Sequence, residues 1–517
     1  SDGRAIAAAL AGTASVAVAA AQRRTRPSSR KVAARAEGAA SAVSELPQVD
    51  RMTTKTFRRN LMKSDQYFKF GRTQMEGAMT ELNRISGSDL VTEMRKSGFR
   101  LTVGDVTFVL AESYGFCWGV ERAVAMAYEA RNFFPDKNIW VTNEIIHNPL
   151  VNENLNKMGM KFVQAGPNGA KDFSGISEGD VVILPAFGAS IDEMAFLKER
   201  KVQIVDTTCP WVSKVWTSVE KSKEKGHTAI IHGKYDHEET MATKSFAQKY
   251  IVVKNMTEAE YVAEYILSGG DKAAFMKKFE KATPADFDPD VDLQRVGVAN
   301  QTTMLKGETE LIGKLFERVM IKKYGPQEVN QHYVSFNTIC DATQERQDAM
   351  YKMLGAEYEE PSSKLYADLE GEQVGLELES IKQQEKLLSR KMEDDVRGAA
   401  SAADDTPKKI DMCLVIGGYN SSNTTHLIEI VEEEGVPGYH IDCAARIGNP
   451  DGGVANRIQF KPLSTMPAQA MLDEGLEVVE NFLPDGPITI GLTSGASTPD
   501  SIMGEVMERV LQLRGLR

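Results

Sequence analysis

The sequence predicts an α/β protein with largely parallel sheets, and three observations lead there. From residue 104 onward, short apolar runs alternate with amphipathic stretches of helical period. A chain of 517 residues with 42% hydrophobic content can bury more than one core. Three separate stretches share one local plan, in which an extended run meets a short polar turn and a helix-like segment, with a cysteine at the junction.

Residues 3–43 are Ala-rich, with arginines at 4, 23, 24, 26, 30 and 35 and Glu37 as the single acid. That is the composition of an organelle transit peptide, so 1–45 is expected to be a leader. Residues 46–103 read as a charged, helical N-terminal extension. Strands are then expected at 106–110, 139–141, 181–184, 202–205, 228–231, 250–253, 296–299, 412–416, 438–441 and 488–492. Helices at 119–132, 212–225, 308–323, 424–434 and 500–513 separate many of them, the pattern of parallel sheets joined by crossovers. With a cysteine in each section, the core divides into 104–208, 209–339 and 340–505, followed by a tail at 506–517. Residues 265–292 are rich in Gly, Lys and Asp. Residues 355–409 are highly charged, with a helix-forming middle at 376–392 and an Ala, Asp and Ser flank at 398–408. Both read as exposed insertions.

No segment is long and apolar enough to suggest a membrane span. A net charge of −12 argues against a nucleic-acid partner, which calls for clustered Lys and Arg, but leaves room for a small anion in a local pocket. Five cysteines are too few for a disulfide scaffold and favour thiolate chemistry in a reducing compartment.

The three repeated settings are Phe108 to Cys117 before Trp118-Gly-Val, Gln203 to Cys209 before Pro210-Trp-Val, and Asn337 to Cys340 before Asp341-Ala-Thr. A cysteine at such a switch has its sulfur near helix N-terminal amides, which favour thiolate and metal ligation. The repetition points to one shared metal centre with three protein ligands and an open position. Cys413 lies inside an apolar strand and Cys443 just after one, so both are expected in the core.

Polar runs follow other strands, where an α/β protein builds its site. They include His147 in Asn-Glu-Ile-Ile-His-Asn-Pro, His237 and Glu239 in His-Gly-Lys-Tyr-Asp-His-Glu-Glu, and Thr302 in Asn-Gln-Thr-Thr. Two more are Ser421, Ser422 and Asn423 after Gly417-Gly-Tyr-Asn, and Ser497 in Ser-Gly-Ala-Ser-Thr-Pro. Small residues with hydroxyl and amide donors at helix starts suit a phosphate. The Gly417 loop fits neither the dinucleotide fingerprint nor the Walker pattern, so neither NAD nor ATP is expected. A carboxyl such as Glu239 beside bound phosphate and metal gains proton affinity and can donate near neutral pH.

Taken together, Phe116-Cys117-Trp-Gly-Val, Asp206-Thr-Thr-Cys209-Pro, Cys340-Asp-Ala-Thr-Gln-Glu-Arg, Asn420-Ser-Ser-Asn423 and Gly495-Ala-Ser497 closely resemble the 4-hydroxy-3-methylbut-2-enyl diphosphate reductase family, over about 104–505. Leader and extension are similar to its plastid branch. The resemblance implies three similar α/β domains arranged pseudo-threefold around a [4Fe–4S] cluster held by Cys117, Cys209 and Cys340. It implies an allylic diphosphate substrate gripped by His147, His237, Ser421, Ser422, Asn423 and Ser497. Glu239 would then be the proton source, and Thr302 would relay the proton or order the hydroxyl. A ferredoxin is the electron donor so implied, the chloroplast stroma is the location, and a homodimer is compatible. One departure is Phe187, in Ala186-Phe-Gly, where many bacterial members carry a histidine. A second is the length of 355–409. Two other readings stand beside this one: a structural zinc protein using the three cysteines and a histidine, and a cluster-dependent hydratase that needs no reductant.

Overall fold

The computed structural model describes residues 46–68, 72–164, 170–336, 338–358, 363–371, 409–449, 455–465 and 475–517. The expected leader at 1–45, the helix at 376–392 and the flank at 398–408 lie outside the described residues.

Fifteen strands are described: β1 (Arg100–Val103), β2 (Val106–Leu110), β3 (Ile139–Val141), β4 (Met160–Phe162), β5 (Val181–Leu184), β6 (Gln203–Asp206), β7 (Thr228–His232), β8 (Tyr250–Val253), β9 (Val296–Asn300), β10 (Tyr333–Ser335), β11 (Met412–Ile416), β12 (Gly438–Ile441), β13 (Arg457–Phe460), β14 (Glu477–Glu480) and β15 (Ile488–Ser494). Three sheets carry the fold, in the orders β1-β2-β15-β11-β12, β4-β3-β5-β6 and β10-β9-β7-β8. Every pairing in them is parallel except β1 with β2. β5, β7, β9 and β11 are buried at every position, which is why they read as unbroken apolar runs.

The chain passes from sheet to sheet in a cycle, and each handover carries a cysteine. β2 leads to Cys117, and the helix Trp118–Phe133 that it caps crosses to the sheet of β3–β6. β6 leads to Cys209 and the helix Pro210–Glu224, which crosses to the sheet of β7–β10. β10 leads to Cys340 and the helix Asp341–Leu354, which heads back toward the first sheet at β11.

This route differs from the sections marked by the cysteines. β2 pairs with β15, joining Val106 to Ile488, so the chain from 104 to Cys117 belongs to the sheet built mainly by 412–494. The expected tail at 506–517 is largely helix: Asp500–Leu513 buries Val506, Met507, Val510 and Leu511. Residues 265–292 are no exposed excursion either, because Phe275, Phe279 and Phe287 are buried in the largest core. Of the 355–409 segment, the helix Lys364–Gly371 buries Leu369 in that same core, and Ser363 Oγ donates to Glu260. The extension holds the helices Thr54–Lys63, Arg72–Ser86 and Asp89–Lys96, then β1. Between the first two, Phe68 N–H donates to Ile204 O and Ile204 N–H to Gln66 O, clipping the extension to β6.

Candidate metal centre and anion pocket

The same three-strand construction recurs in each sheet, and it builds the site. In each, the cysteine N–H donates to a carbonyl in the loop after the neighbouring strand. Cys117 bonds Ala496 after β15 at 3.1 Å, Cys209 bonds Ala186 after β5 at 2.8 Å, and Cys340 bonds Thr302 after β9 at 3.2 Å. The next strand over supplies a polar loop: Ser421–Asn423 after β11, His147 after β3, His237 and Glu239 after β7. The strand ends converge on a cavity of about 110 Å³ lined by every residue singled out for the site: Cys117, Cys209, Cys340, His147, His237, Glu239, Thr302, Ser421, Ser422, Asn423 and Ser497.

At the metal end, an added Cβ on Gly119 would stand 2.7 Å from Cys209 Sγ, too close to fit without moving that sulfur, and in ordinary contact with Cys117 Sγ at 3.9 Å. Burial, reinforced by the charge of the neighbouring thiols, pushes Cys209 up to about 12 and Cys340 up to about 11. Helix amides oppose this, from Trp211 and Val212 to Cys209 and from Ala342 and Thr343 to Cys340. The amides thus pull toward thiolate as expected, while desolvation and mutual repulsion of the thiols outweigh that pull. Such a set becomes anionic when a cation compensates it.

Spacing bears on which cation. Tetrahedral zinc, with bonds of about 2.3 Å to sulfur, needs its thiolates roughly 4 Å apart. Among the described residues, the group with all its donor atoms within 4.8 Å of one another is His147, His237 and Glu238, and the three thiols form no such group. At least one pair of these sulfurs is therefore farther apart than a single tetrahedral ion needs, and three thiols around one cavity fit a cluster held at three corners.

Glu239 connects the metal end to the anion end. It is 2% exposed, and burial lifts its carboxyl to about 7 against the pull of Thr302, whose N–H donates to Oε1 at 2.6 Å and whose hydroxyl donates to Oε2 at 2.9 Å. His237 caps the helix Glu238–Lys244, its Nδ1 accepting from Glu239 N–H at 3.2 Å. Burial, with the charges of His147 and Lys234, holds it well below the usual imidazole range, so it is neutral and Nε2 keeps its proton as a donor. For His147, burial acts downward, but Nδ1 pairs with Glu144 Oε2 at 2.9 Å and Glu238 adds its charge, so the net shift is upward.

His147 Nε2 and Asn423 Nδ2 are buried and have no hydrogen-bond partner among the described residues. Both belong to residues that line the cavity, and an anion's oxygens would satisfy them. Gln301 fixes the surroundings. Its Oε1 accepts from Lys234 N–H at 3.1 Å and Thr240 Oγ1 at 3.1 Å, and its Nε2 donates to Thr303 Oγ1 at 2.8 Å and Ser422 Oγ at 3.0 Å. Ser422 thus receives a hydrogen from Gln301 and keeps its own to donate. Phe187 lies flat on His147, with ring centroids 4.8 Å apart and planes 11° from parallel. It holds the imidazole by its face and donates nothing.

The LytB protein family matches residues 108–359 and 394–511. This chain belongs to the LytB family. It is 53% identical over 465 residues to the 4-hydroxy-3-methylbut-2-enyl diphosphate reductase of Thermosynechococcus vestitus, covering 90% of this chain and 99% of that one. With the reductase of Synechococcus sp. the identity is 51% over 463 residues, covering 90% and 100%. A solved reductase from Plasmodium falciparum aligns at a TM-score of 0.49 and 20% identity, over 78% of this chain and 87% of that one. Both sequence relatives are cyanobacterial, and the extension before residue 108 lies outside the LytB match.

Some contributors to this LytB-family site carry little signal in the sequence. Glu144 and Glu238 act by charge on a histidine, and Gln301 acts through four partners that only the fold assembles. Arg346 is a buried cation whose Nη2 donates to Gly115 O at 2.8 Å, just before Cys117, and whose Nη1 donates to Ala342 O at 2.6 Å, just after Cys340.

Proposed function

We propose that this chain carries out the reductive dehydroxylation of (E)-4-hydroxy-3-methylbut-2-enyl diphosphate, giving isopentenyl and dimethylallyl diphosphates for isoprenoid synthesis. The observation that carries this reading is one cavity lined by three thiols, by buried nitrogens of His147 and Asn423 that make no hydrogen bond among the described residues, and by a carboxyl lifted to about 7. The overall change takes up two electrons and two protons, replaces a C–O bond by a C–H bond and releases water. When bound by Cys117, Cys209 and Cys340, a [4Fe–4S] cluster supplies electrons singly and an iron without a protein ligand.

The chain's own groups do the rest. His147 Nε2, His237 Nε2, Asn423 Nδ2 and the hydroxyls of Ser421, Ser422 and Ser497 hold the diphosphate and fix the substrate's direction. Glu239, protonated near neutrality, delivers a proton to the departing hydroxyl oxygen, and Thr302 holds its carboxyl in place. The electron donor in this reading is a ferredoxin, and the location is the plastid stroma, in keeping with the cyanobacterial relatives and the transit-like composition of 1–45.

The test is anaerobic turnover of the reconstituted protein with the substrate, with and without reduced viologen. Both five-carbon diphosphates should form only with reductant. Conversion without reductant would mean a hydratase. A colourless, zinc-loaded and inactive protein would mean a structural metal site.

A further inference from the structure

Trp118 is 63% exposed, and it directly follows Cys117. A large aromatic side chain left to solvent beside a buried cysteine set is unusual, because its burial within the chain would be favourable. It does not stand alone. The contact of Gly119 with Cys209 Sγ brings the first turns of Trp118–Phe133 and Pro210–Glu224 together. Pro210 is exposed, Trp211 is half-buried, and the Lys214 ammonium lies over the Trp211 ring at 4.8 Å. Arg122, one turn beyond Trp118, donates to Thr207 O and Thr208 O across the same junction.

The neighbouring surface is cationic. The helix Thr54–Lys63 carries Lys55, Arg58, Arg59 and Lys63 and no acid. Arg58 Nη2 donates to Ser213 Oγ at 2.9 Å, which sets this helix against the turn holding Trp211 and Lys214. Lys55 is paired with Glu224, but Arg59, Lys63 and Lys214 are exposed and form no ion pair among the described residues. In a chain of net charge −12, this is a local reversal of sign beside two of the three cysteines.

We propose that Trp118, Trp211 and the cationic face of Thr54–Lys63 form the docking surface for the electron donor, a small protein carrying a one-electron iron–sulfur centre behind an acidic contact face. The inference rests on the reductase reading, which needs two single electrons from outside. A rigid aromatic anchor with opposite charges at its rim suits a brief, salt-sensitive encounter, and the donor's centre would face the cysteines across Trp118. Each encounter oxidises one donor and delivers one electron, so two complete the reaction. The N-terminal extension, which lies outside the LytB match, thereby acquires a role in supplying most of the charge at this surface.

The experiment compares wild type, Trp118→Ala and the double variant Arg59→Glu with Lys63→Glu, all reconstituted. One readout is the Kd for an oxidised plant-type [2Fe–2S] ferredoxin, by calorimetry at low and high salt. The other is turnover driven by reduced ferredoxin or by reduced viologen. Each variant should weaken ferredoxin binding about tenfold or more and slow ferredoxin-driven turnover. Viologen-driven turnover should stay within about twofold of wild type, and the double variant should lose most of its salt dependence. Unchanged Kd in both variants would overturn the proposal. So would an equal loss with both reductants, which would make the residues structural. A wild type that binds ferredoxin but gives no product with viologen would instead refute the reductase reading.

Discussion

At the scale of single residues, chemistry depends on how burial and hydrogen bonds set protonation. Glu239 binds its proton more tightly when folded than when unfolded. Its contribution to stability is therefore fully present below the ordinary carboxylate value of 4.5 and is lost as pH rises through about 7. The protonated donor is lost over the same window. A rate profile should accordingly fall above about pH 7, and Glu239→Gln should remove that limb while lowering kcat at least about 100-fold; a variant keeping both rate and limb would assign the proton elsewhere. Phe187 is a positioning residue, since its ring stacks on His147, whose Nε2 makes no hydrogen bond among the described residues and lies 3.7 Å from Glu238 Oε2. Phe187→Ala should raise KM several-fold with kcat nearly unchanged, as steady-state kinetics would show. Cys117, Cys209, the histidines and the hydroxyl loops are legible in the sequence because they follow apolar strands, and Cys340 because it repeats their turn before a helix. The direction of the thiol shifts is not, because it depends on how deeply three distant segments bury one another.

At the scale of elements, close contacts explain why particular residues stand where they do. Gly119 lies in the first turn of its helix with Cys209 Sγ 2.7 Å from where a Cβ would be. Gly119→Ala should leave the circular dichroism intact yet lower iron incorporation and activity together, because the Cys209 sulfur must shift. Tyr67 ties the extension to the second cysteine loop: its hydroxyl donates to Asp206 Oδ2 at 2.6 Å, and Asp206 Oδ1 accepts from Thr208 N–H at 3.0 Å, just before Cys209. Tyr67→Phe is expected to cost about 1.5–3 kcal/mol in denaturant unfolding, the worth of one hydrogen bond to a charged group. The long strands are legible because they are apolar throughout. β1, β4, β10, β13 and β14 are not, being three or four residues long and partly exposed. The 265–292 stretch reads as exposed because its many Lys and Asp mask three phenylalanines that are buried in the core.

At the scale of the whole molecule, the three sheets form a cycle whose handovers are the cysteines. Pairing of β2 with β15 closes that cycle, and no local pattern announces it, since the partners lie at opposite ends of the core sequence. Arg346 strengthens the closure by joining the start of the Cys340 helix to the backbone before Cys117. Arg346→Met would leave three carbonyls, those of Ala342, Tyr114 and Gly115, without this donor, a loss of about 2–3 kcal/mol. A lowered Tm with faster loss of iron from the folded protein is the expected result, and an unchanged Tm would show that the link is not structural.

The most direct test of a centre shared by all three sheets is the iron and acid-labile sulfide content of the anaerobically reconstituted chain. About four of each per chain are expected, with sharp losses for serine at Cys117, Cys209 or Cys340 and none for Cys443→Ser. One zinc per chain without sulfide, or a full cluster surviving the loss of one of the three cysteines, would contradict it.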